Sequence, residues 1–470
     1  MVAENAAIEK VPKSNWSNEE FQMINLKDKR LEKRFVKVAE SLQKEPLSPI
    51  NQACGTWADT KAAYRLFNNE KVTEKDILAS HQMSTTDRMK GQEIVLAVQD
   101  TTYLNYSRHP KKQGIGPIGT KEQNLLGLLI HSTLAMTEKG LPLGLITQEI
   151  WARAEKDMGK KDKRKKLGIE EKESFKWLKA LDETLALAPE GPLVVTVCDR
   201  EADIYEFFLK AQERQAKVLI RAAQDRKVEE DIRKLFDLLN SLAAAGRLRV
   251  KVPKKGKKPS REATLEVRFQ EVKLKAPSRA KPNNKLEPIK LNAILVKETG
   301  KRLESLEWML LTNVKVETFE DAVQRIYWYQ KRWGIEIYHK VLKSGLKVED
   351  CRLQKKERLM SYLTLCSIIA WRLYWITKVN HYQPDASCTN ILADYEWKPL
   401  YCIIHRTTKL PNELPTVRQV VRWIGQLGGF MGRKGDKQPG VTVIWRGWQR
   451  LTDISSTWCI LHQVKDVGRS

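Results

Sequence analysis

Cysteine is scarce and unpatterned in this 470-residue chain: seven residues, at 54, 198, 351, 366, 388, 402 and 459, with no Cys-x-x-Cys pair. An odd, scattered set argues against a disulfide framework or a cysteine zinc site and fits a reducing compartment, so a cytoplasmic, nucleoid-associated prokaryotic location is expected. The opening stretch MVAENAAIEK carries no apolar segment, and no secretory signal is expected there. Long hydrophobic runs are missing too. The nearest, SYLTLCSIIAWRLYWITK at 361–378, is short for a membrane span and is interrupted by Arg372, so a buried helix and no membrane partner are expected. No internal repeat or long low-complexity segment occurs.

Acidic residues fall well short of basic ones, 58 against 83, giving a net charge of +25 and an isoelectric point near 9.6. Such an excess repels itself and calls for a polyanionic partner, most often nucleic acid, although membrane-surface and ribosome-associated proteins share the composition. With 41% hydrophobic residues the chain is globular and long enough for two to four domains.

Hydrophobic periodicity divides it. Residues 18–90 read as helical, with FQMINLKDKRLEKRFVKVAESL, a CGTWAD turn and TKAAYRLFNN, and no strand-like alternation. Lys27, Lys29, Arg30, Lys33, Arg34 and Lys37 crowd one helix, either as a phosphate-binding face or as a solvated one. From residue 93 the texture becomes β-branched. EIVLAVQD, LLGLLIHSTLAM and LPLGLITQEIWA predict three strands in hairpin order; a helix at about 169–188, the strand PLVVTVCD, a helix and the strand KVLIRAA follow. That order predicts an α/β catalytic core with a ribonuclease-H-like mixed sheet. Strands around a very basic loop, KKGKKPSR, form a β insertion at about 225–300, and LEWMLLTN (306–313) either closes it or returns to the core. The expected division is an N-terminal helical DNA-binding domain at 1–75, the core at 76–370 and a Trp-rich helical domain at 371–470.

Asp100 and Asp199 each follow an apolar strand, where open α/β sheets present functional groups. Alone, each reads as a turn or helix cap. A third carboxylate, Glu336, lies in YWYQKRWGIEIYHKVLKSG (327–345), where an uninterrupted helix would place Tyr329, Arg332, Glu336 and Lys343 within an arc of roughly 60°. Three converging carboxylates need a cation, and hard oxygen ligands suit Mg²⁺, with Mn²⁺ as substitute. Two such ions would serve phosphoryl transfer on a nucleic-acid backbone.

Asp100 in VQDTTYLNY, Asp199 in CDREADIY and the Tyr329, Arg332, Glu336, Lys343 spacing together resemble the DDE transposases of insertion-sequence family four. The similarity extends over nearly the whole chain, from AYRLFNN to GGFMGRKGDKQPG. It implies that Asp100, Asp199 and Glu336 are the catalytic, metal-binding triad. Tyr329, Arg332 and Lys343 would contact DNA near a transposon end, and Trp308 would stack on a flipped base unless it is a core aromatic. Arg221, His339 and Lys340 match further DNA-facing positions, as do Arg30 and Arg34, although Lys27 stands where similar proteins carry glycine before the Asp. The resemblance implies cut-and-paste transposition by a homodimer bridging two DNA ends, with cleavage through a hairpin and joining of 3′-hydroxyls to target DNA. A structure-selective nuclease would share the fold and the metal site without strand transfer; a non-catalytic DNA-binding relic would not need all three acids.

Overall fold

Helices fill the chain up to the first strand: α1 (Trp16–Glu20), α2 (Lys29–Lys44), the single turn α3 (Ile50–Ala53), α4 (Trp57–Phe67) and α5 (Glu74–Lys90). Side-chain caps set their starts. Asp28, Thr56 and Thr73 accept from the N–H groups of Arg30, Asp59 and Asp76, satisfying donors that the first helical turn leaves open. Lys27, just before the Asp28 cap, takes a left-handed backbone with φ of 57°, which explains why glycine suits that position. The computed structural model describes residues 16–120, 122–155, 167–229, 231–252, 259–277, 286–300, 305–433 and 435–462; MVAENAAIEK and most of the KKGKKPSR loop lie outside these ranges.

The core strands are β1 (Ile94–Asn105), the short β2 (Gly116–Pro117), β3 (Leu126–Thr137), β4 (Pro142–Trp151), β5 (Leu193–Cys198) and β6 (Lys217–Arg221), with α6 (Phe175–Leu187) before β5 and α7 (Tyr205–Glu213) after it. β4, β3 and β1 pair antiparallel, while β1, β5 and β6 run parallel. This is the ribonuclease-H-like arrangement that the element order implies. Continuous apolar runs such as LVVTVC in β5 follow from burial on both faces of the sheet.

The insertion contains α8 (Leu235–Ser241), β7 (Gly246–Val252), β8 (Arg261–Leu274) and β9 (Ile289–Glu298). β10 (Glu307–Thr312) settles its relation to the core by doing both of the things expected of it: it pairs with β9 on one edge and with β6 on the other. Core and insertion thus share one ten-stranded mixed sheet.

Beyond it come α9 (Phe319–Lys331), α10 (Trp333–Lys340), a π-turn (Val341–Gly345), α11 (Lys356–Val379), α12 (Asp394–His405), α13 (Val417–Leu427) and α14 (Val441–Leu461). α11 is long and apolar enough to cross a membrane, yet 94% of its most apolar window is buried in this protein, as the interrupted sequence led one to expect of a core helix. It runs through residue 370 without a break and packs on α5 and β4.

At that junction a polar cluster is sealed in the core. Glu20 of α1 accepts both terminal nitrogens of Arg88 at 3.0 and 3.1 Å and the Nδ1–H of His81, whose Nε2 accepts from the Leu145 amide. The Arg88 guanidinium lies 4.3 Å from the Trp371 ring of α11. Burial pushes the Glu20 carboxyl up, but Arg88 and His81 outweigh it and bring it down to about 2. One carboxylate therefore ties the N-terminal helices to the sheet and to α11.

Candidate active site and nucleic-acid interface

The parallel register of β1 and β5 aligns Val98 with Val197, so Asp100 and Asp199, two residues farther along each strand, reach one edge on the same face. Asp199 ends its strand, as the sequence suggested, and caps the next turn by accepting from the Glu201 amide at 2.8 Å. Asp100 does not end a strand. β1 continues to Asn105 on β3 after β5 has stopped, and this leaves Asp100 at the notch between them.

Glu336 arrives from α10, but on a helix less regular than its sequence suggests. The Arg332 amide donates to the Tyr329 carbonyl and that of Ile335 to the Arg332 carbonyl, three-residue steps that tighten the chain between α9 and α10. Gly334 lets the start of α10 press against the core: a Cβ there would meet Met136 Cε at 2.6 Å and the Tyr374 hydroxyl at 3.0 Å. The π-turn then inserts an extra residue, its Leu346 amide donating to the Val341 carbonyl. The single polar stripe over four turns is therefore corrected. Lys343 swings to the end of β1, where its Nζ donates to the Tyr103 carbonyl at 2.8 Å and lies 3.7 Å from Glu349.

Arg332 stands between the acids. It pairs with Glu336 one turn on, and its Nη1 lies 3.8 Å from Asp100 Oδ2. Burial pushes the Asp100 carboxyl up to about 7; Arg332 opposes this, while the charges of Asp199 and Glu336 add to it. All three acids thus act within one electrostatic neighbourhood that a single guanidinium leaves short of positive charge.

Their chemistry suits a hard divalent cation, since the donors are carboxylate oxygens and the pocket penalises their charge. Among the described residues, however, no three His, Cys, Asp or Glu side chains stand ready at ligating positions; Arg332 engages Glu336 and faces Asp100.

Around the acids lie several of the residues expected at DNA. Trp308 and Tyr329 meet edge to face at 5.5 Å, and Arg221, across the β6–β10 pair, donates to the Glu307 carbonyl at 3.0 Å. Trp308 is half-buried, so the core-aromatic alternative is only half met. Beside them opens a cleft of 530 Å³ lined by Arg200, Glu201, Arg221, Phe236, Glu307 and Met309. Lys340 is exposed. His339 is 6% exposed, its Nδ1 lies 3.8 Å from Asp100, and burial pushes its imidazole down to about 3. A neutral, enclosed ring thus faces the Asp100 carboxylate.

The N-terminal candidates lie on α2. Arg30 is exposed and loosely paired with Asp28 at 3.7 Å, whereas Arg34 and Lys37 reach Asp59 of α4 at 3.4 and 3.1 Å. Two tryptophans escaped the sequence reading. Trp57 opens α4 at 79% exposure, on the same outward face as Lys61 and Tyr64, and Trp333 stands 61% exposed next to Arg332. Periodicity gives both an ordinary helical position; only their exposure marks them.

Three known families match the chain. Residues 13–72 match the transposase DNA-binding family, 171–373 the transposase DDE domain, and 368–457 the transposase Tn5 dimerisation domain. A solved piggyBac transposase synaptic complex with hairpin DNA aligns over 99% of this chain and 83% of its own at 9% identity and a TM-score of 0.35, a likeness too slight to carry weight. DDE transposases work with divalent metal ions, in keeping with the carboxylates assembled here. With its DNA-binding, catalytic and dimerisation regions in this order, the chain belongs to the Tn5-like DDE transposases and is an enzyme.

Proposed function

We propose that this transposase moves DNA by cut-and-paste, cleaving transposon ends through a hairpin intermediate and joining the freed 3′-hydroxyls to target DNA in a cytoplasmic, nucleoid-associated setting. The observation that carries this reading is Arg332 paired with Glu336 and facing Asp100, with Asp199 on the neighbouring parallel strand's end, beside a cleft lined by Arg200, Glu201, Arg221, Phe236 and Glu307. Two Mg²⁺ ions, or Mn²⁺ in their place, would be held by the three carboxylates and would supply activation of the attacking oxygen and stabilisation of the leaving one.

Two steps are hydrolyses, in which water splits a phosphodiester into a phosphate monoester and a 3′-hydroxyl, and two are transesterifications, in which that hydroxyl replaces another sugar oxygen on phosphorus. Water opens one strand and leaves a 3′-hydroxyl; this attacks the opposite strand, releasing flanking DNA and closing a hairpin. A second water reopens the hairpin, and the same hydroxyl displaces a target-strand oxygen. No covalent protein intermediate is needed. Arg332, Arg221, Lys343 and Lys340 are the phosphate partners in this reading, with the Trp308–Tyr329 pair as a platform for a displaced base, and Arg30 and Arg34 as end contacts. Two copies would each bind one end through 1–75 and process the other within 76–370, held together through 371–470.

The test is to incubate the chain with Mg²⁺ and DNA bearing the repeats that flank its gene. Hairpin-ended products, and their loss in Glu336→Gln, support the reading. Open breaks without hairpins would instead favour the structure-selective nuclease.

A further inference from the structure

Arg332 occupies an unusual place for a residue expected to bind DNA. Its side chain is only 15% exposed, and its charge is directed at acids of the same chain: it pairs with Glu336 and approaches Asp100. The oxygens it covers are the ones a divalent cation would need. A guanidinium and a divalent ion cannot share them, because two cations at that range repel each other strongly and the space between two carboxylates admits one.

The surroundings also give Arg332 somewhere else to go. It sits at the tightened joint between α9 and α10, next to exposed Trp333, on the side of the site where Tyr329 and Arg221 lie. A DNA phosphate arriving there would offer the guanidinium a bidentate, charge-assisted partner in exchange for its pair with Glu336 one turn along the chain.

We propose that Arg332 is the internal counter-ion of the metal-free site, and that DNA, by drawing its guanidinium onto a phosphate, frees Asp100 and Glu336 to take up the divalent cation. The inference rests on the assignment of those two acids as metal ligands and adds a regulation to it. Metal and DNA binding are then positively coupled, and by reciprocity metal strengthens the hold on DNA by the same factor. A transposase free of DNA therefore stays metal-poor.

The experiment titrates Mn²⁺ alone into the full chain without DNA, reading bound ion by electron paramagnetic resonance. Arg332→Gln should bind Mn²⁺ at least tenfold more tightly than wild type, and Arg332→Lys, which keeps a cation at that place, should stay close to wild type. The unsubstituted chain should gain at least tenfold when duplex carrying its flanking repeats is added, beyond the ion that DNA takes up alone. Equal Mn²⁺ affinity in wild type and a folded Arg332→Gln overturns the gate, as does tight binding by wild type without DNA. Adding Glu336→Gln to Arg332→Gln separates the two levels: if Mn²⁺ still binds tightly, the ligand assignment itself has failed.

Discussion

Asp100 lies level with Asp199 across two parallel strands, two residues beyond the Val98–Val197 pair. Strand register brings them to one edge, and the turn that Asp199 caps sets the second carboxylate there. Asp100→Asn, Asp199→Asn or Glu336→Gln should therefore each lower strand cleavage by more than about 100-fold while end binding, measured by gel shift, changes little. Full strand transfer by any one of them in Mg²⁺ would remove it from the triad.

The same carboxylate should make the fold pH-sensitive without metal. Asp100 is raised to about 7 when folded against an ordinary value near 4, so the folded state holds its proton more tightly. Stability should then fall as pH rises from about 4 to about 7, with the full penalty present above 7. In chelator at pH 8, Asp100→Asn should be more resistant to urea than wild type, by on the order of 1–3 kcal/mol, although it is inactive. Identical unfolding midpoints for the two proteins at pH 5 and pH 8 would contradict this.

Glu20 works in the opposite sense. Its folded value of about 2 lies below the ordinary range, so its contribution is complete above about 4.5 and is lost as pH falls toward 2. Glu20→Gln leaves Arg88 buried without its counter-charge and should cost about 3–5 kcal/mol in denaturant unfolding at neutral pH.

Lys27 pays for a left-handed backbone that glycine adopts freely. Lys27→Gly should raise stability by about 0.5–1 kcal/mol, with the sign opposite to that of glycine in a regular helix. A loss of stability would mean that the lysine side chain offsets the strain.

Trp57 is almost free of packing, so its ring is available to DNA. Trp57→Ala should weaken end binding by about 1–3 kcal/mol in a fluorescence anisotropy titration while leaving the melting temperature unchanged. A drop in melting temperature at unaltered affinity would assign the ring to the fold.

Much of this was legible in the residues themselves. Short β-branched runs and longer amphipathic ones gave the element order, since side-chain period depends on local backbone geometry. The net charge pointed to a polyanion, and the acids at Asp100, Asp199 and Glu336 pointed to a site. The tightened joint at Arg332 was not visible, because it depends on Gly334 meeting Met136 and Tyr374 from distant elements. The burial of His339 was not visible for a related reason: the resemblance gives it a polar position, but packing encloses it beside Asp100 and pushes its imidazole down to about 3.

The sequence by itself determined which elements form and where the charged groups lie along them, because propensity, capping and periodicity act over a few residues. Only the tertiary structure decided that β10 would join insertion to core, that the π-turn would send Lys343 to Tyr103, and that Arg332 would stand among the carboxylates. Those outcomes depend on packing and desolvation between residues far apart in the chain, and no local pattern records them.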